Sequence, residues 1–392
     1  MNIRNLVPAL AIVTLTSTAG FAADSAPAVT FSGWVDTILQ FSSDSVTERT
    51  DNPLTAKDEA AGSLRFSGLA SLKAAWNVTD AVSVKANLWF DPGNSASNDT
   101  SNLNVREAYF TWNFSDTLSW SMGKYINHLG WISAEPTGDN FMFVNADTIG
   151  YRQVYGNDVL GATLGFAPKD SSVSGAIHIT NGYFTGGDGS STNYTSATSG
   201  TRENSDLGFG LDVTFKLPDA LGSINAELAY DIKSGDTSYL GGVDPTNGLG
   251  GDVLLVGVNA TIKPTKIVTL GAEIQYLTVG ESENAAGASQ NNGIDRLQFL
   301  MLGNVALVGA PANMSVSGLV QFVSIDHDAP ALTENEDRLY VGVALLTNPV
   351  TSTKFGLNYE VGFFDESGID GNTGAANEVN GFTLAVEGLL SF

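Results

Sequence analysis

The residues able to make or break bonds are few. The chain has three histidines, His128, His178 and His327, and no cysteine. They fall in three separate segments. A Ser-His site is recognised by geometry rather than by order along the chain, so a hydrolase would need the fold to gather a Ser-His or paired-carboxylate cluster. The reading here is a protein that is not an enzyme. The stretch from Asp370-Gly371-Asn372 to Glu378 suggests a calcium loop only loosely, because it lacks the Asp/Asn spacing and the sixth-position glycine of an EF-hand. No metal site and no cofactor are expected, beyond divalent cations bridging acidic surface loops. Gly186-Gly187-Asp188-Gly189 does not sit between a strand and a helix, so it is no phosphate cradle.

Charge is the other chemistry available. The formal net charge is −24, which argues against nucleic acid as a partner and toward small cations. The acids gather in polar stretches: five fall within 43–62 (Asp44, Glu48, Asp51, Asp58, Glu59), and others are Glu334, Glu336, Asp337, Asp365, Glu366 and Asp370. Several bases sit inside alternating segments instead. In 63–76, Leu64, Phe66, Gly68, Ala70, Leu72, Ala74 and Trp76 share one parity, while Arg65 and Lys73 lie on the other. Successive strand side chains point to opposite faces. Burying those two cations in a dry core is costly, whereas a water-filled interior accepts them.

The elements that must position these charges are strands. Hydrophobic residues make up 43% of the chain and charged residues 15%, below the roughly 25% charged share of a soluble domain. There are 43 glycines, and no later run of about 18 apolar residues to form a spanning helix. At the start, Arg4, an apolar core over 6–19 and Gly20-Phe21-Ala22 read as a secretory signal over 1–22, with the mature domain at 23–392. Lipid-exposed sheet must close on itself to satisfy its backbone, so the fold expected is all-β, a closed antiparallel transmembrane barrel. Short turns alternate with long polar loops. Strands are expected at 29–42, 63–76, 81–91, 103–114, 118–126, 158–167, 173–183, 205–216, 223–234, 252–263, 267–279, 294–309, 312–325, 338–348, 353–365 and 379–392. That is an up-and-down meander of about 16 strands, with short periplasmic turns and long extracellular loops. Barrels of about 16–18 strands leave an aqueous channel.

The last strand, GFTLAVEGLLSF, carries Phe382, Leu384, Val386, Leu390 and Phe392 on one parity. It resembles the C-terminal signature of bacterial outer-membrane barrels, which implies that Phe392 is an assembly signal read by the outer-membrane assembly machinery. The strand count and the long loop after the fifth strand resemble diffusion porins of Gram-negative outer membranes. The stretch NVREAYFTWNFSDTLSWSMGKYINHLGWISAEPTGDNF, 104–141, is similar to the corresponding region of OmpL-like β-barrel porins: an aromatic strand, a short turn, a strand ending Gly-Lys, then a loop with a glycine and a proline.

That resemblance implies a loop, 127–157, folded into the barrel to narrow it. Its acids are Glu135, Asp139 and Asp147. The bases that would face them are Arg152, Lys124, Arg106, Arg65, Lys73 and Lys85. Opposed charges across a constriction orient permeating solutes, and rings of charge select ions. The function expected is passive diffusion of ions and small hydrophilic solutes, modestly cation-selective, in the outer membrane after export through the general secretory pathway. Membrane lipid surrounds the chain, and a homotrimer is the assembly implied. Two alternatives stay open: a solute-specific channel, in which Trp131 would stack a sugar rather than pack, and a non-conducting structural or adhesive barrel. Trp76, Trp112, Trp120 and Phe392 read as interfacial girdle residues.

Overall fold

The computed structural model describes residues 29–49, 58–90, 103–131, 158–184, 207–232, 252–280, 282–283, 289–291, 293–327, 336–350, 354–369 and 376–392. The leader read over 1–22, and Glu135, Asp139, Asp147 and Arg152, lie outside these residues.

The chain forms β1 (Val29–Arg49), β2 (Asp58–Asn77), β3 (Val82–Phe90), β4 (Leu103–Asn113), β5 (Leu118–Ile126), β6 (Asp158–Phe166), β7 (Val173–Thr180) and β8 (Leu207–Lys216). It continues with β9 (Gly222–Ile232), β10 (Val253–Ile262), β11 (Val268–Val279), β12 (Ile294–Ala306), β13 (Ser315–His327), β14 (Glu336–Val350), β15 (Lys354–Ile369) and β16 (Ala376–Ser391). Each strand pairs antiparallel with its sequence neighbours, and β1 pairs with β16, so these 16 strands close a barrel in meander order. A small hairpin, Ser282–Glu283 with Ser289–Asn291, decorates the β11–β12 connection.

The alternation in the sequence sets which face looks out. On β16, Phe382, Leu384, Val386 and Leu390 are 36–41% exposed, whereas Thr383, Ala385, Glu387 and Leu389 are at most 6% exposed. Outward apolar residues recur on every strand pair, for example Phe66, Met122, Ile177, Val258 and Phe363. At the short-turn rim, Trp76, Trp112 and Phe392 are also exposed and outward, and Trp112 meets Phe114 edge-on at 4.9 Å. Three of the short turns share one device. The hydroxyls of Thr79, Ser115 and Thr265 each accept backbone N–H groups two and three residues on, which replaces lost ladder bonds.

One expectation is corrected. The polar stretch 43–62 is mostly ladder rather than loop: β1 and β2 stay in register to Thr47↔Asp58, and β15 and β16 stay paired to Ile369↔Ala376. Hydrophobic alternation ends where apolar surroundings end. The ladder runs on backbone groups and needs no such alternation.

The inner face is divided. Along β10–β13 the inward residues are buried: Val253, Leu255, Leu277, Leu300, Leu319 and Val323 belong to an apolar cluster, and Glu273, Gln275, Arg296, Gln298 and Gln321 are buried on the same face. Along β2–β5 they are polar, charged and less buried, including Arg65, Lys73, Lys85 and Thr111. Leu129, Tyr183 and Phe184, from the segments after β5 and β7, belong to the same apolar cluster.

Candidate functional site

The site begins where β5 ends. Asn127 accepts the Leu129 N–H on its side-chain oxygen at 3.1 Å, which turns the chain. Gly130 has φ +82, a backbone state that glycine adopts without strain. The segment Asn127–Trp131 thereby enters the barrel, and Leu129 joins the apolar inner cluster.

Two wall carboxylates receive it. Glu227 on β9 accepts the Gly130 N–H on both oxygens, at 3.1 and 3.0 Å. Glu273 on β11 accepts the Trp131 N–H at 2.6 Å. The indole N–H of Trp131 donates to Thr261 Oγ1 at 2.8 Å. Gly271 makes room for the ring: a Cβ there would lie 2.5 Å from Trp131. Trp131 therefore packs on the wall, which decides against the sugar-stacking reading. Gln275 donates to both Glu227 and Glu273, at 2.6 and 3.1 Å. Gln298 donates to Gln275, and Arg296 donates to Gln298 at 3.1 Å. The chain of amides satisfies oxygens that the loop leaves open, as buried polar groups require.

A second segment does the same. After β7, Gly182 has φ +100, and the N–H groups of Tyr183 and Phe184 both donate to Asp231 Oδ2, at 2.6 and 2.9 Å. Gly208 and Gly210 leave the space that Tyr183 fills. Glu227, Glu273 and Asp231 are thus inward acids that bind backbone. Their parity was readable in the strands; the segments they hold were not.

The charged half is organised differently. Lys85 and Glu107 pair at 2.9 Å, and Asn87 donates to the same carboxylate at 3.0 Å. Arg65 donates to Gln40 at 2.6 Å. Asp158 collects Arg106 at 3.1 Å and Lys124 at 3.3 Å. The Arg106 guanidinium also lies over Trp89, 4.6 Å from the ring centroid, and Trp89 meets the buried Trp34 edge-on at 5.2 Å. Of the bases singled out in the sequence, Arg106 and Lys124 are brought together on an acid, Asp158, that the sequence reading passed over. Arg65, Lys73 and Lys85 share the inner face of β2 and β3, where Lys73 pairs with Asn87.

Between the halves sits a histidine pair. His128 on the inward segment stacks on His178 of β7, with centroids 3.8 Å apart and planes at 17°. His178 Nε2 is 2.6 Å from Asp212 Oδ2 on β8, and its Nδ1 is 2.9 Å from Thr163 Oγ1. Burial, and then the neighbouring His178, push the His128 pKa down to about 3, so its ring is neutral. His327 is far along the chain on β13, and its side chain lies outside the described residues.

No protein-family model matches the chain, and no curated protein does. Solved structures do. The outer-membrane channel DcaP of Acinetobacter baumannii aligns at TM-score 0.57 and 14% identity, covering 95% of this chain and 100% of that one. OmpT of Vibrio cholerae, an outer-membrane protein in trimer form, aligns at 0.54 and 14%, covering 94% and 100%. An anion-selective porin from Comamonas acidovorans aligns at 0.55 and 10%, covering 93% and 100%. At these identities the likeness is one of fold: a porin-like barrel along nearly the whole chain.

Proposed function

We propose that this chain is an outer-membrane diffusion channel for ions and small hydrophilic solutes. The observation that carries the reading is the divided interior. Inward segments are seated on the acids of the buried wall of β9–β13, while the inner face of β2–β5 is charged and more exposed at Arg65, Lys73 and Lys85. A solute path follows that charged strip, past Arg65, Lys73 and Lys85. The outward apolar surface, with Trp76, Trp112 and Phe392 at the turn rim, suits lipid contact with aromatic residues at an interface. Export by the segment 1–22 and assembly guided by Phe392 complete the picture. The closer affinity with OmpL-like porins rests on residues 104–141. A homotrimer is the proposed assembly, in line with the trimer form of the Vibrio cholerae neighbour.

Selectivity is proposed to be weakly cationic, set by the acidic mouth. The loop acids Glu135, Asp139 and Asp147 and the base Arg152 remain the proposed constriction partners of that strip. One observation favours a second reading, a non-conducting surface barrel: the inward residues of β10–β13 are as buried as a protein core. Planar-bilayer recording in a KCl gradient separates the two. Stepwise conductance with a cation-positive reversal potential supports the channel. A folded, heat-modifiable barrel that never conducts supports the second reading.

A further inference from the structure

We propose that His128, His178 and Asp212 form a binding site for a divalent ion of the zinc class, which clips the inward segment to the barrel wall. The three side chains come from three elements: the segment after β5, β7 and β8. Their ligand atoms all lie within 4.8 Å of one another, a grouping found among the described residues.

The hydrogen-bond pattern calls for a cation there. Thr163 has one hydroxyl hydrogen, and it donates that to Tyr125 Oη at 3.1 Å. Its oxygen can then only accept from His178 Nδ1, at 2.9 Å. That leaves the Nε2 lone pair of His178 facing a carboxylate oxygen at 2.6 Å. Two acceptors at that distance require a proton or a metal ion between them. The partner on Nδ1 also fixes tautomer and ring direction, the usual support for a metal-binding imidazole.

His128 favours the ion over the proton. Both of its ring nitrogens are buried without a hydrogen-bond partner, which is unfavourable for a polar group. A proton shared by His178 and Asp212 leaves both unpartnered; an ion at the same place takes up the lone pair of one. Tyr183 Oη is likewise buried and unpartnered, and it lies over Gly210 on the same wall. It can complete a four-coordinate shell directly or hold a water in it.

The distances are within reach. Tetrahedral zinc with ligands at about 2.1 Å spaces them about 3.4 Å apart. The widest pair must therefore close by at most roughly 1.4 Å, and the His178–Asp212 pair must open by roughly 0.8 Å; His128 must turn out of its stack on His178 to aim a ring nitrogen at the ion, a movement its segment allows because it is outside the strand ladder. Two imidazoles and one carboxylate suit zinc, copper or nickel; calcium and magnesium prefer oxygen ligands throughout. The Asp212 side chain is 22% exposed, which gives an ion a way in from the barrel interior.

The proposal uses the fold and these side chains, so it stands apart from the channel reading. The test is calorimetric titration of the refolded, EDTA-stripped full chain with ZnCl2, together with visible spectra on adding CoCl2. We expect one ion per chain and the intense bands of four-coordinate cobalt. His128→Gln and Asp212→Asn should each remove both signals, and Thr163→Val should weaken affinity about 10–100-fold. His128→Gln lies outside the ladder and decides the matter if Asp212→Asn fails to give a heat-modifiable barrel. Absent cobalt bands, or zinc heats unchanged in folded His128→Gln, would overturn the site. The latter result would place the ion on acidic surface loops.

Discussion

Glu227 on β9 holds the Gly130 N–H between its two carboxylate oxygens, at 3.1 and 3.0 Å. The bond spans 97 residues of sequence. It fixes how deep the chain descends into the barrel, because the next residue is held in turn by Glu273. Hydrogen bonds to charged groups contribute about 1.5–3 kcal/mol each. Glu227→Ala with Glu273→Ala should therefore release Asn127–Trp131 while leaving the ladder intact. Chymotrypsin cleavage after Trp131 should become fast in the double variant; continued protection of Trp131 would show that the acids do not hold the segment.

Trp131 depends on the absence of a side chain at 271. In Gly271→Ala the new Cβ would meet ring carbons at 2.5 and 2.7 Å, closer than real contacts allow, and the ring must leave the wall. Gly303→Ala is the matched control, since its Cβ meets only Leu270, at 3.8 Å. We expect red-shifted Trp131 emission, isolated by difference against Trp131→Phe, in the first variant and none in the control. Equal spectra would mean that the indole is not seated there.

Asp158 is fully buried between Arg106 and Lys124. Removing the acid from a buried ion group leaves uncompensated charge, at about 3–5 kcal/mol. Asp158→Asn should lower the temperature at which the folded barrel converts to its slow-migrating unfolded form. Adding Arg106→Gln and Lys124→Met should recover part of that loss. A loss that grows with each added change would sink the argument.

In the proposed channel the strip of Arg65, Lys73 and Lys85 lines the ion path and works against the acidic mouth. Replacing all three with glutamine should move the KCl reversal potential toward stronger cation preference at unchanged fold. A shift toward anions, or none, would place the ion path elsewhere.

Barrel closure at the turn rim rests on paired backbone bonds between Gly33 and Phe392, at 3.1 and 3.0 Å. A Cβ on Gly33 would collide with the Ser71 carbonyl and lie 2.7 Å from the Phe392 ring. Gly33→Ala should slow refolding into detergent and lower the folded yield. Phe392→Ala should spare refolding and reduce the folded barrel in cell outer membranes, if the residue is an assembly signal. Equal loss in both settings would make Phe392 a packing residue only.

The strand set, its parity and its meander order were legible in the chain because each depends on a local period of two. Phe382 through Leu390 show this most plainly, and so do Arg65 and Lys73 on the opposite parity. The ends of β1, β2, β15 and β16 were not legible, because a ladder continues through polar residues that carry no alternation. Nor were the roles of Glu227, Glu273 and Asp231. They bind backbone from segments dozens of residues away. Arg106 and Lys124 looked like pore bases and prove to share Asp158, and His128 met His178 only once β5, its following segment and β7 were side by side. Alternation is written between neighbours along the strand. A hydrogen bond between a wall acid and an incoming segment exists only after closure sets their distance, so no spacing in the chain could encode it.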